Sequence, residues 1–139
     1  MHHEQRQTQK PKILIVFGTR PEVIKQAPVV QAIQNCSSRF SLVICNTGQH
    51  REMVDQALSV FQIRPHYNLD VMQKNQPLWS LTSRILKRLD PLLRDERPDF
   101  CLVQGDTTTA FAAALASFYR QTPVGHVEAG LRTWKKYHP

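Results

Sequence analysis

The feature that most restricts this chain is a regular alternation of short, nearly continuous apolar runs with longer segments of helical periodicity. Residues 12–17 read Lys-Ile-Leu-Ile-Val-Phe, 40–45 Phe-Ser-Leu-Val-Ile-Cys, 100–103 Phe-Cys-Leu-Val and 124–127 Val-Gly-His-Val. Apolar runs of this length suit strands covered on both faces, the situation of a parallel sheet. Between them the spacing predicts a helix from Pro21 to about 35, another over 50–62, a long one over 78–94 and a small-residue one over 107–119. Pro21 fits a first helical turn, whereas Pro28 should kink or shorten its helix and Pro91 should bend the long one. Residues 63–76 read as irregular, with a short edge strand near 67–71. Strand–helix alternation with these intervals predicts an α/β fold, a doubly wound parallel sheet of Rossmann-like type. Right-handed crossovers then place the functional turns at the carboxyl ends of the strands.

Composition narrows the function classes. Of 139 residues, 41% are hydrophobic and 21% charged, an ordinary globular balance. No apolar run approaches the ~20 residues that span a bilayer, so no membrane partner is expected. The net charge of +7 is concentrated at the two ends, leaving about +2 for the body between them. A nucleic-acid surface needs its basic residues on the folded body, so nucleic acid is excluded as a partner. Cys36, Cys45 and Cys101 are odd in number and lack C-x-x-C spacing, which argues against a disulfide framework and against a zinc site. A reducing, cytoplasmic location follows. Residues 1–11 read as a disordered tail and 12–139 as the folded domain.

Four polar turns fall at the strand ends: Gly18-Thr19-Arg20-Pro21-Glu22, Asn46-Thr47-Gly48-Gln49-His50, Gln104-Gly105-Asp106-Thr107, and Gly125-His126-Val127-Glu128-Ala129-Gly130-Leu131-Arg132. The first has one glycine where a dinucleotide fold has G-x-G-x-x-G, and no G-x-x-x-x-G-K-[ST] occurs. Read locally, Asp106 could cap the helix after it, Glu128 could pair with Arg132, Arg20 could pair with Glu22, and Lys25 could be an exposed helix lysine. Arg20 at a helix N-terminus would also favour a diphosphate.

Gly-Thr-Arg-Pro-Glu, Thr-Gly-Gln-His, Gln-Gly-Asp-Thr and His-Val-Glu-Ala-Gly-Leu-Arg, taken together and in order, resemble the UDP-N-acetylglucosamine 2-epimerases, over residues 12 to about 133. The resemblance implies the N-terminal half of a GT-B type two-domain enzyme with a UDP-sugar in the interdomain cleft. On that resemblance the chain is a truncated N-terminal fragment, its first domain incomplete and its C-terminal UDP-binding domain absent. It implies Asp106 and Glu128 as catalytic carboxylates, without saying which is the base, and Arg20, Lys25, Gln49 and His50 as substrate-binding residues. Gln49 and His50 fall where regulated members bind a second substrate molecule, and Gln49 and Glu52 are the candidates for such a regulatory site. Glu52 stands where some members have glutamine, and Asn75 where some have arginine. The resemblance implies no cofactor, no metal, and a homodimer. The long helix offers Leu81, Ile85, Leu89 and Leu93 as an apolar surface for such an association. A hydrolysing 2-epimerase fragment, or a regulatory or dimerisation module without catalysis, are the alternatives.

Overall fold

The computed structural model describes residues 9–137. Most of the tail expected over 1–11, its first eight positions, lies outside the described residues, as do His138 and Pro139. The elements follow in strict alternation: β1 (Lys12–Phe17), α1 (Arg20–Asn35), β2 (Ser41–Asn46), α2 (Arg51–Phe61), β3 (Tyr67–Asn68), α3 (Leu78–Glu96), β4 (Phe100–Gln104), α4 (Thr108–Tyr119) and β5 (Val124–Val127). All pairings are parallel, in the order β3-β2-β1-β4-β5. β1 lies at the centre, its Ile13 opposite Leu42 of β2 on one side and Phe100 of β4 on the other.

The alternation of side chains along β1 makes the two layers. Ile15 and Phe17 face α1 and α2, packing with Val23, Ala27, Val30, Val54 and Leu58. Leu14 and Val16 face the opposite way, towards Leu89, Leu93, Ala110 and Ala113 of α3 and α4. All four are fully buried, each burial being worth about 1.5–3 kcal/mol relative to exposure. The small residues Ala110, Ala113 and Ala116 let α4 lie close to the sheet, and Ala112 packs with Leu81 and Ile85 of α3. The helices change face between β1 and β4, so the crevice at the carboxyl ends of those two strands is the topological switch point.

Neither proline shortens its helix. α1 continues through Pro28 to Asn35 and α3 continues through Pro91 to Glu96, two residues past the expected end. α3 stops where Arg97 turns left-handed, at φ 46°, and returns its N–H to Leu93 O. Leu81, Ile85, Leu89 and Leu93 do not form a surface: all are buried in the chain's own core. Cys45 and Cys101 are buried in the core, and burial raises the thiol of Cys101 to about 11. Among the described residues no helix is long and apolar enough to cross a membrane, and no cluster suits a metal ion.

Candidate active site at the carboxyl edge of the sheet

The turns after β1, β2 and β4 are laced together. The Thr109 hydroxyl, in the first turn of α4, donates to Gln49 Oε1 at 2.8 Å. Having spent its proton there, it accepts from the Thr47 hydroxyl at 2.9 Å. Gly18 passes directly over this pair. A Cβ at Gly18 would lie 2.0 Å from Thr47 Oγ1 and 2.5 Å from Thr109 Oγ1, so close approach is what demands glycine there. Gly48 and Gly105 serve differently, taking φ +73° and +70° to reverse the chain after β2 and β4.

Glu22 adds a further tie. It is buried, and its Oε2 accepts from Gly18 N (3.0 Å), Thr19 N (2.8 Å) and the Thr19 hydroxyl (2.8 Å). Its Oε1 accepts from the Thr107 hydroxyl at 2.8 Å. Burial raises its carboxyl above the ordinary glutamate value, outweighing the hydrogen bonds that lower it. The sequence suggested for Glu22 only a pairing with Arg20, although Thr19-x-x-Glu22 is a capping-box spacing that could have flagged its place in the turn.

The two expected catalytic carboxylates share one depression. Open spaces of about 320 and 450 Å³ meet at Asp106, the first also lined by His126, Glu128 and Arg132. Asp106 is exposed and makes no side-chain hydrogen bond or ion pair among the described residues. It is not the cap of α4: Thr107 is, its hydroxyl accepting from Ala110 N at 3.0 Å. Glu128 does not pair with Arg132, whose guanidinium donates instead to Ala129 O and Leu131 O. Its partners are Gln104 Nε2 at 2.6 Å and Lys25 Nζ at 3.3 Å. Gln104, at the end of β4, is a contact that local spacing could not reveal. The Glu128 backbone stands at φ 61°, a left-handed value uncommon for a residue with a Cβ. His126 Nε2 donates to Gly105 O at 2.5 Å, fastening β5 to the Asp106 turn.

The remaining expected residues are dispersed around this edge. Lys25 reaches Glu128 from α1 and is thereby more than a solvated helix lysine. Arg20 is exposed, has no ion pair with Glu22, and borders a separate depression with Ile24, Gln56 and Val60. His50 precedes α2; its backbone N–H donates to Gly18 O at 2.9 Å, while its exposed ring has no partner among the described residues. Glu52 is exposed in the first turn of α2, and Asn75 is exposed with φ 57°. Gln49 alone of this group is held inward, through Thr109.

Residues 31–139 match the family model described as UDP-N-acetylglucosamine 2-epimerase. The UDP-N-acetylglucosamine 2-epimerase of Salmonella typhimurium is 55% identical over 128 residues, covering 92% of this chain and 34% of that protein. A crystal structure of the Neisseria meningitidis UDP-GlcNAc 2-epimerase bound to UDP-GlcNAc superposes with a TM-score of 0.87 at 52% identity, over 92% of this chain and 34% of that one. The Methanocaldococcus jannaschii UDP-GlcNAc 2-epimerase, in complex with UDP-GlcNAc and UDP, does so with a TM-score of 0.84 at 32% identity, over 91% and 34%. The chain thus spans about a third of the length of the relatives it matches.

Proposed function

We propose that this chain, which belongs to the UDP-N-acetylglucosamine 2-epimerase family, forms part of the first domain of an enzyme interconverting UDP-GlcNAc and UDP-ManNAc. The observation that carries this reading is the pair of carboxylates, Asp106 and Glu128, opening on one depression at the carboxyl edge of the sheet. The C2 proton of the sugar has no neighbouring carbonyl to acidify it, so direct removal would leave an unstabilised carbanion. Elimination solves this. The C2 proton passes to a protein base, the C1–O bond breaks with its electron pair leaving on UDP, and 2-acetamidoglucal remains. Re-addition of UDP with a proton delivered to the opposite face of C2 gives the epimer. Positive charge develops on the ring as the C1–O bond breaks, and a nearby carboxylate stabilises it. In this reading Asp106 and Glu128 divide the acid/base and electrostatic roles. Lys25 and Arg20 supply positive charge towards the diphosphate, and Gln49 and His50 line the substrate side. Gln49 and Glu52 are the candidates for a second, regulatory sugar-nucleotide site.

The same reading places the protein in the cytoplasm and gives it a homodimeric form. With the inner face of α3 buried, the apolar surface left for a second copy includes Phe111 and Phe118, two turns apart and both exposed on α4. The chain alone should not turn over, because the relatives' remaining two thirds would close the cleft.

The test is to graft this chain in place of the matching third of the Salmonella relative and follow UDP-GlcNAc by proton NMR. UDP-ManNAc is expected from the graft, with the chain alone at the no-enzyme baseline. A folded graft without turnover would overturn the reading; release of free UDP with N-acetylmannosamine would replace it with a hydrolysing activity.

A further inference from the structure

Glu22 is a fully buried carboxylate that the reaction above does not use. An apolar side chain of its size would have cost nothing in desolvation. What the carboxylate provides is geometry, because each oxygen serves a different turn. Oε2 gathers the donors of Gly18 and Thr19 in the β1–α1 turn, and Oε1 takes the hydroxyl of Thr107 in the β4–α4 turn, 85 residues away. The bridge crosses the switch point between β1 and β4. Thr107 in turn caps α4 through Ala110 N, so the carboxylate is fixed to the start of that helix. Immediately before Thr107 stands Asp106, exposed, with no side-chain partner among the described residues. Its direction is set by backbone alone, between Gly105 at φ +70° and Thr107 at φ −75°.

We propose that Glu22 is a positioning residue for Asp106, acting through the Thr107 hydroxyl to hold the β4–α4 turn against the β1–α1 turn. The inference rests on Asp106 being an acid/base or electrostatic group in the epimerase reaction. A displacement of about 1 Å at such a group is enough to cost about a hundredfold in rate. Binding of the nucleotide would be less affected, because no atom of Glu22 is at the surface.

The test combines kinetics in the graft with NMR of the 139-residue chain itself. Glu22→Gln places an amide donor where the carboxylate offers only acceptors, and Thr107→Val removes the hydroxyl at constant shape. Each is expected to lower kcat tenfold or more with KM within about threefold, the split that marks lost alignment instead of lost binding. Thr107→Ser keeps both hydroxyl bonds and should recover most of the loss. The double variant should be little worse than either single one, since both cut the same link. In the isolated chain, Glu22→Gln and Thr107→Val should each shift the Asp106 backbone amide resonance, and Thr107→Ser should not. Losses that multiply in the double variant, KM rising in step with the fall in kcat, or an Asp106 amide unmoved by both variants would overturn the proposal. If Glu22→Gln fails to fold, the Val and Ser variants at 107 decide it. A parent graft without activity removes the proposed reaction, and the Asp106 amide then decides the coupling by itself.

Discussion

Asp106 and Glu128 open on the same depression but are held in opposite ways. Asp106 has a fixed base and a free tip: its turn is fastened through Thr107 to Glu22 and through Thr109 to Thr47 and Gln49, while its carboxylate makes no hydrogen bond or ion pair among the described residues. Glu128 has a held tip on a strained base. Gln104 and Lys25 grip its carboxylate, yet its backbone sits at φ 61° and leads into residues 129–137, all of them exposed. Backbone held away from its comfortable region costs about 1–3 kcal/mol and persists only where surroundings over-determine it. Placement of the first carboxylate is thus a property of the fold, and placement of the second a property of two side chains.

The sharpest way to break this contrast is kinetic. In the graft, Asp106→Asn and Glu128→Gln should each lower kcat by about a thousandfold or more while UDP binding changes little. Equal losses in binding and turnover at either position would make that residue structural. Stability should separate the regions next. Gly18→Ala forces a methyl onto the Thr47 and Thr109 hydroxyls and should cost about 3 kcal/mol or more in urea unfolding. Gly105→Ala meets no atom within 4 Å and bears only the left-handed penalty, about 1–2 kcal/mol. Similar costs at the two glycines would show that the lacing beneath Gly18 is slack.

Acidity gives a smaller discriminator. Burial raises the Glu22 carboxyl above its ordinary 4.5, so the native chain binds that proton more tightly than the unfolded one. Glu22's contribution to stability is then fully present below the ordinary glutamate range and is lost as pH rises through the raised value. Urea midpoints recorded across that window should fall for the parent relative to Glu22→Gln; parallel profiles would contradict it. Least of all, Lys25→Met removes a half-exposed ion pair at 3.3 Å, which should change stability by no more than about 0.5 kcal/mol. A larger loss would mean that Lys25 supports the Glu128 backbone as well as its side chain.

The layered fold was legible because its signals are local. Apolar runs, turn glycines and helical spacing each occupy a few consecutive residues, and even the two-residue β3 fell within the segment expected for it. Helix ends were less legible: α1 runs unbroken through Pro28 and α3 through Pro91, two residues beyond the end expected for it. The candidate residues could be named from the sequence, but the contacts among them could not. Asp106, Glu128 and Gln49 were marked by where the strands end and Lys25 by the resemblance, whereas the partners of Glu128, Lys25 and Gln49 lie far away in the chain. Lys25 meets Glu128 across 103 residues, and Glu22 meets Thr107 across 85. Two local guesses, a cap at Asp106 and a Glu128–Arg132 pair, were displaced by residues that compete better in space: Thr107 for the helix end, Gln104 and Lys25 for the carboxylate.

The hydroxyl pair beneath Gly18 has a consequence for how this edge moves. Thr47 belongs to the turn after β2, Thr109 to the helix after β4, and the glycine over them to the turn after β1. None of the three can swing outward without exposing the others' contacts, so transient opening of any one releases all. Their amide protons should exchange with solvent as one cooperative unit and at one common opening free energy. Residues 129–137, all exposed, should exchange faster than that unit and independently of it.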